Sequence, residues 1–230
     1  MRTVAEEAGD DVEAAHRVVP LTRLRSAVAR TVTASAAVPQ FDVAYDVQAA
    51  GLASLRADLE GDVSVTDMIH AAVATAVPSH PRLNASWTEQ GIFEHRQVNL
   101  GFALALEEQD GLVVPAILDA DQLSLARLAE RRRELTSAAR NGSLRPADLF
   151  SATICVSNLG STGVSSFRAL VLPPHAAILA VGAIRTDGTV TLTLSCDHRV
   201  VDGLPAALFL REVADRLSRP TWMLQHGVTA

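Results

Sequence analysis

The stretch Val190-Thr191-Leu192-Thr193-Leu194-Ser195-Cys196-Asp197-His198-Arg199-Val200-Val201-Asp202-Gly203 decides how this chain is read. Apolar Val190, Leu192 and Leu194 alternate with polar Thr191, Thr193 and Ser195, a period of two that predicts a half-buried strand. Beyond Gly203, Ala206, Leu210, Val213 and Leu217 recur at helical spacing, so a helix follows and Asp202-Gly203 mark its entry. His198 therefore sits just past a strand end, four residues before an aspartate. A neutral imidazole there takes a proton near pH 7, and a nearby carboxylate or arginine network fixes its tautomer. Taken alone, His-x-x-x-Asp is also the spacing of an ordinary polar pair.

Working outward, Ser124 is placed to cap a helix, with Leu123 and Leu128 as its hydrophobic staple and Asn141-Gly142 as its stop. The charged run Glu130 to Glu134 reads as its solvated face. Phe102 to Leu106 and Leu112 to Ile117 read as two strands joined at Asp110-Gly111, a dipeptide suited to positive φ angles. Ser64 with Asp67 forms a capping-box pattern ahead of the apolar stripe Val65, Met68, Ile69, Ala72, Val73 and Ala76. Leu21, Leu24, Val28 and Val32 predict a first helix that ends at Val38-Pro39, and a strand is expected from Gln40 to Val47. Residues 1–17 are polar and acidic and are expected to be a disordered tail, leaving 18–230 as one domain.

A chain of 230 residues with 48% hydrophobic content can bury a sizeable core. Its net charge of −6 argues against a nucleic-acid surface. No apolar run reaches the roughly 18 residues of a membrane span, and no basic-then-apolar leader opens the chain. The expected compartment is the cytoplasm. Cys155 and Cys196 fall in strand-like segments, and without CxxC or HxxxH spacing no metal site is expected. All 20 basic residues are arginine. The lack of lysine excludes a Schiff base, a P-loop lysine and any lysine-borne prosthetic arm within this chain.

Asp197-His198-Arg199-x-x-Asp202-Gly203 resembles the active-site signature of the dihydrolipoamide acyltransferase (E2) cores of 2-oxo acid dehydrogenase complexes, and its HxxxDG kernel that of the wider CoA-dependent acyltransferases. Thr153-Ile154-Cys155-Val156-Ser157-Asn158-Leu159-Gly160 is similar to the family's T-x-T-x-S-N-x-G segment, and Pro173-Pro174-His175-Ala176-Ala177-Ile178-Leu179-Ala180-Val181-Gly182 to its P-P-x-A-A-I-L-x-V-G strand. Asn84-Ala85-Ser86-Trp87 and Asp110-Gly111-Leu112-Val113-Val114-Pro115 match as well, in family order from about Val18 to the C-terminus.

The resemblance implies an α/β (α+β two-layer) chloramphenicol-acetyltransferase-like fold with a mixed sheet. It implies transfer of an acetyl or branched-chain acyl group between a dihydrolipoyl arm and coenzyme A, with the lipoate carried on another domain or chain. His198 is then the base, Ser157 the oxyanion donor, and Asp202 an orienting residue whose expected salt-bridge partner is Arg25. Asn158, Gly160 and Arg25 fall on the CoA-binding side, and Arg199 supports local structure. One copy of the fold holds half a site, so a homotrimer is implied, with His198 and Ser157 meeting across a subunit boundary. Trimers would assemble into a larger cage, joined by a lipoyl domain and, through a segment missing here, by E1 and E3 components.

Ser26, Thr31 and Gln40 depart from residues frequent in the family. Three other readings stand beside this one. A chloramphenicol-type O-acetyltransferase shares the fold but has His-His where this chain has Asp197-His198. A non-catalytic scaffold subunit is argued against by retention of His198, Asp202 and Ser157. A nucleophilic Cys196 with His198 as its base is argued against by the absence of an oxyanion hole beside it.

Overall fold

The computed structural model describes residues 16–59 and 62–227, so residues 1–15 of the expected acidic tail lie outside the described residues. Helix α1 (Arg23–Ser35) begins where Thr22 Oγ1 accepts from the Arg25 backbone N–H, satisfying a first-turn donor that has no partner within the helix. Strand β1 (Gln40–Gln48) and helix α2 (Ala50–Asp58) follow. Helix α3 (Val65–Ala76) opens on the expected capping box: Ser64 Oγ accepts from Asp67 N, and the Asp67 carboxylate accepts from Ser64 N at 2.8 Å. Its stripe is buried nearly all round, including Asp67 and His70.

A hairpin that the sequence reading lacks comes next, followed by the expected one around Asp110-Gly111, in which Leu104 pairs with Val113 and Leu106 with Gly111. Strands β2 (Ala85–Thr88) and β3 (Gly91–Glu94) pair with each other. The expected strand at Phe102–Leu106 is instead split into β4 (Leu100–Phe102) and β5 (Leu104–Leu106), and Leu112–Ile117 into β6 (Gly111–Val113) and β7 (Ala116–Ile117). Pro115, with no N–H to donate, breaks the second segment, and its carbonyl accepts from Phe102 N. Of the turn dipeptide only Asp110 takes a positive φ, at 48°. Gly111 is needed for a different reason, since a Cβ there would lie 2.3 Å from the Leu24 side chain of α1.

Helix α4 (Leu125–Arg140) is capped by Ser124 and stops at Asn141-Gly142, where Gly142 adopts φ +67°. Glu130 and Glu134 face solvent as expected, paired with Arg127 and Arg131, but Arg132 turns inward and grips Asp67 through Nε (2.5 Å) and Nη2 (3.2 Å). Helix α5 (Pro146–Phe150), strands β8 (Ile154–Asn158), β9 (Ala177–Val181) and β10 (Thr189–Asp197), and helix α6 (Gly203–Ser218) complete the fold.

The main sheet runs β1-β10-β9-β8-β4-β7, with the pairs β9–β8 and β8–β4 parallel and the rest antiparallel. Ile154 and Val156 of β8 and Leu192, Leu194 and Cys196 of β10 face a core shared with α3, α4 and α6. Cys155 and Ile178 face the opposite way, into a smaller cluster closed by Val38 and Val171. Contrary to expectation, the polar face of β10 is also covered: Thr193, Ser195 and Asp197 are buried, and Ser195 Oγ donates to Asp42 of β1 at 2.6 Å. Alternation reports chemistry on two faces, and here polar partners replace water on the second one.

Candidate active site

Strand β1 pairs with β10 along its whole length, from Gln48 opposite Thr189 to Gln40 opposite Asp197. The turn beyond is therefore anchored at its root. His198 N donates to Pro39 O at 2.8 Å, and Val200 N and Val201 N both donate to Asp197 O. The Asp197 carboxylate, nearly fully buried, takes a two-pronged grip from Arg199 Nε (2.9 Å) and Nη2 (2.6 Å), and Arg199 Cζ lies 4.1 Å over the Trp87 ring. Such planar, charge-assisted pairs fix orientation as well as energy. Arg199 thus supports local structure, as expected.

Between these fixed neighbours the His198 ring rests against Phe41, centroids 4.5 Å apart, and is half exposed. Its Nδ1 lies 3.5 Å from Asp202 Oδ1. That side favours the Nδ1–H tautomer and leaves Nε2 with a free lone pair. Asp202 opens α6 without a capping bond from its side chain, so its carboxylate is available to the imidazole.

The expected bridge from Asp202 to Arg25 does not form. Arg25 instead pairs with Asp110, Nη2 to Oδ1 at 2.7 Å. Geometry explains the correction: Ser35, at the end of α1 beside Gln40, is ten residues beyond Arg25, roughly 15 Å of helix. Arg25 faces the β5–β6 turn, not His198.

Ser157 and Asn158 are neighbours on β8 and point to opposite faces. Asn158, on the helix side with Val156, donates to Thr66 Oγ1 at 3.2 Å and accepts from Gly160 N at 2.8 Å. Gly160 lies where a Cβ would meet the Gly182 carbonyl oxygen at 2.7 Å, so close backbone approach accounts for it. Both residues border a cavity of about 290 Å³ with Thr66, Gly182 and Ile184; Arg25 does not. Ser157, on the face of Cys155, makes no side-chain hydrogen bond among the described residues, and its hydroxyl is uncommitted.

Register separates the two expected partners. Ser157 stands opposite Ala180, and Ala180 opposite Thr193, with His198 five residues further along. At about 3.3 Å per residue and 4.8 Å per strand, Ser157 and His198 of one chain are roughly 19 Å apart. Within a single chain they do not meet at one carbonyl.

Cys196 is fully buried in the helix-side core, and burial, with Asp42 and Asp197 adding, pushes its thiol up to about 12. That removes it as a nucleophile. His175 is a different kind of group. Its Nδ1 lies 2.9 Å from Leu172 O and its Nε2 3.0 Å from Ala152 O, so both nitrogens must donate and the ring is a cation. Burial disfavours that charge, but the Cys155 sulfur and the two carbonyls outweigh it and raise the pKa to about 9. The loop it pins receives Asp197 N at Ala176 O, and Ala176 N in turn bonds Ala85 O on the strand that carries Trp87.

Pro39, Phe41 and Trp87 hold the His198 turn, yet local pattern marks none of them for that task. Only the Asn-Ala-Ser-Trp block signals Trp87. Gln40, a departure from the family pattern, bonds Ser35 through Nε2 and receives Val171 N on Oε1, tying α1 to the loop over the second sheet face.

The structure thus holds a half-exposed histidine on an anchored turn with a carboxylate 3.5 Å from its Nδ1, and, further along the sheet, a serine hydroxyl without a hydrogen-bond partner among the described residues. The profile of 2-oxoacid dehydrogenases acyltransferase (catalytic domain) matches residues 13–225, and the chain belongs to that family. It is 34% identical over 232 residues to the dihydrolipoyllysine-residue acetyltransferase component of the pyruvate dehydrogenase complex of Rhizobium meliloti, covering 91% of this chain and 52% of that protein. The chain thus spans about half the length of the curated relative it matches. Azotobacter vinelandii dihydrolipoamide acetyltransferase superposes with TM-score 0.83 at 29% identity, over 91% of this chain and 94% of that one. In that enzyme a serine, a histidine and an asparagine four residues past the histidine have been investigated for roles in the catalytic mechanism. The cubic core of the pyruvate dehydrogenase multienzyme complex aligns equally well, TM-score 0.83 at 29% identity with the same coverage. A chloramphenicol acetyltransferase, at 16% identity and TM-score 0.53 over 82% of this chain and 94% of that one, shares the fold alone.

Proposed function

We propose that this chain transfers a short acyl group between the thiol of a dihydrolipoyl arm, carried on another domain or chain, and coenzyme A, as the cytoplasmic E2 core of a 2-oxo acid dehydrogenase complex. The observation that carries the reading is His198: a half-exposed imidazole between a buried Asp197–Arg199 clamp and Phe41, its Nδ1 turned to Asp202 and its Nε2 outward. Nε2 removes the proton of the attacking thiol and, as imidazolium, returns one to the departing thiol. Asp202 keeps the ring in the productive tautomer and stabilises the imidazolium. Ser157 donates its hydroxyl to the charge that develops on the carbonyl oxygen.

The roughly 19 Å between His198 and Ser157 favours a homotrimer in which each site takes the base from one chain and the donor from the next. Trimers packing into a cage agree with this reading. The cavity at Asn158 and Gly160 is the candidate passage for coenzyme A; Arg25, occupied by Asp110, has a structural task instead. Acetyl and branched-chain groups are the proposed cargo. A lipoyl domain and E1 and E3 components are the proposed partners.

Acyl transfer from a panel of acyl-CoAs to free dihydrolipoamide, with chloramphenicol as competing acceptor, tests the proposal. Transfer to dihydrolipoamide supports it. Preference for chloramphenicol, or no transfer by an intact oligomer, overturns it in favour of an O-acetyltransferase or a scaffold.

A further inference from the structure

The two residues on either side of Gln40 both hold His198. Pro39 O accepts the His198 backbone N–H at 2.8 Å, and the Phe41 ring lies 4.5 Å, centroid to centroid, from the imidazole. Gln40 itself begins β1 and stands opposite Asp197 in the β1–β10 register. Whatever fixes Gln40 therefore fixes both contacts.

The Gln40 side chain does not reach the ring. Neighbouring residues of a strand point to opposite faces, and Phe41 packs against the helix-side core, so Gln40 points to the other face, toward the cluster that Val38 and Val171 close. Both ends of its amide are engaged there. Nε2 donates to Ser35 O at 3.0 Å and to Ser35 Oγ at 2.9 Å, and Oε1 accepts from Val171 N at 2.8 Å. A carbonyl only accepts and a backbone N–H only donates, so these partners fix which end of the amide is which. Ser35 and Val171 are fully buried.

Little else ties this corner. Pro39 has no N–H to give, Ala36, Ala37 and Val38 donate only to the last turn of α1, and none of the four has a polar side chain. The Val171 side of the bridge leads back to the same turn: Leu172 O accepts from His175 Nδ1, and Ala176 O accepts from Asp197 N at 2.8 Å. We propose that Gln40 is a positioning residue for His198. By spanning Ser35 and Val171 it sets the separation between the Pro39–Phe41 wall and the Val171–Ala176 segment, and with it the aim of the imidazole. The inference rests on the proposed role of His198 as the base.

Gln40→Met in the assembled full chain, which keeps the length of the side chain and removes all three bonds, tests it below the melting temperature of the variant. Acyl transfer from acetyl-CoA to dihydrolipoamide is expected to lose about tenfold in kcat with KM for both substrates within about twofold, because a misplaced base costs rate and not binding. In a His198→Ala background the same substitution is expected to change kcat by less than about twofold, since a residue that acts through the base then has nothing left to aim. Independently of turnover, the His198 amide is expected to lose hydrogen-exchange protection and the ring carbon resonances of His198 to move, as the bond to Pro39 and the contact with Phe41 loosen. If Gln40→Met does not assemble, Gln40→Asn, which keeps the amide but is one methylene too short to span both partners, carries the same expectations at about threefold in kcat. Unchanged kcat with unmoved His198 resonances, a change in KM instead of kcat, or an equal loss with and without His198 overturns the proposal. Absence of transfer by the unsubstituted chain removes the base reading alone, and the exchange and resonance changes then decide whether Gln40 places His198.

Discussion

The turn around His198 and the end of β8 around Ser157 are built on opposite terms. Near His198 every neighbour is engaged: Asp197 with Arg199, Arg199 with Trp87, the His198 backbone with Pro39 and its ring with Phe41. At Ser157 the backbone is locked in the sheet and Asn158 is fastened to Thr66, but the serine hydroxyl itself is unused. A general base, the role proposed for His198, must be aimed before substrate arrives, and such neighbours would supply that aim. An oxyanion donor, the role proposed for Ser157, gains only when charge develops, and a hydroxyl without a competing partner suits that role.

The strongest way to break the contrast is to delete each half in turn. His198→Ala is expected to lower kcat by about 10²- to 10⁴-fold with assembly intact, measured as acyl transfer and by sedimentation. Near-normal turnover would remove His198 as the base. Ser157→Ala is expected to cost about 10²- to 10³-fold in kcat and kcat/KM together, with KM for coenzyme A little changed. A rise in KM alone would make Ser157 a binding residue.

Mixing the two inactive variants sharpens the comparison further. If each site takes its base from one chain and its donor from another, equal mixing with subunit exchange restores about a quarter of wild-type activity, the fraction of interfaces that receive both intact groups. No recovery after proven exchange would place both groups in one chain, against the register.

Smaller effects probe the supports. Trp87→Ala removes the partly exposed ring beneath Arg199 and is expected to lower kcat about two- to fivefold, read from steady-state kinetics. His175 should show in stability instead of rate. Its folded pKa, raised to about 9 from 6.5, makes its contribution complete below pH 6.5 and lost as pH rises through about 9. Urea midpoints should fall across that window in the natural protein, and His175→Gln should flatten the fall. An identical slope in the variant would assign the effect elsewhere.

Much of this was legible in residue order. The strand leading to His198, the helix after Gly203, the capping box at Ser64 and the stop at Gly142 each rest on local chemistry, and each stands in the structure. What local pattern could not carry was the company each element keeps. The polar side of β10 reads as solvent-facing because Thr191, Ser195 and Asp197 say nothing of the Asp46, Asp42 and Arg199 that partner them. Arg132 reads as surface because Asp67, its partner, is 65 residues away. The Arg25–Asp202 bridge failed on distance along a helix. Phe41, Pro39 and Trp87 gained their tasks only through pairing between segments far apart in the chain.

If each site is shared between chains as proposed, the spacing between Ser157 and His198 also governs how productive an assembly is. Chains joined head to tail in an open string would always strand one unused histidine at one end and one unused serine at the other, so a string yields one fewer working site than it has chains. A closed ring wastes neither, and among rings of such chains the smallest that closes without strain needs the fewest encounters to form. Loss of a single interface from a three-membered ring would therefore remove one site in three at once, before any chain unfolds.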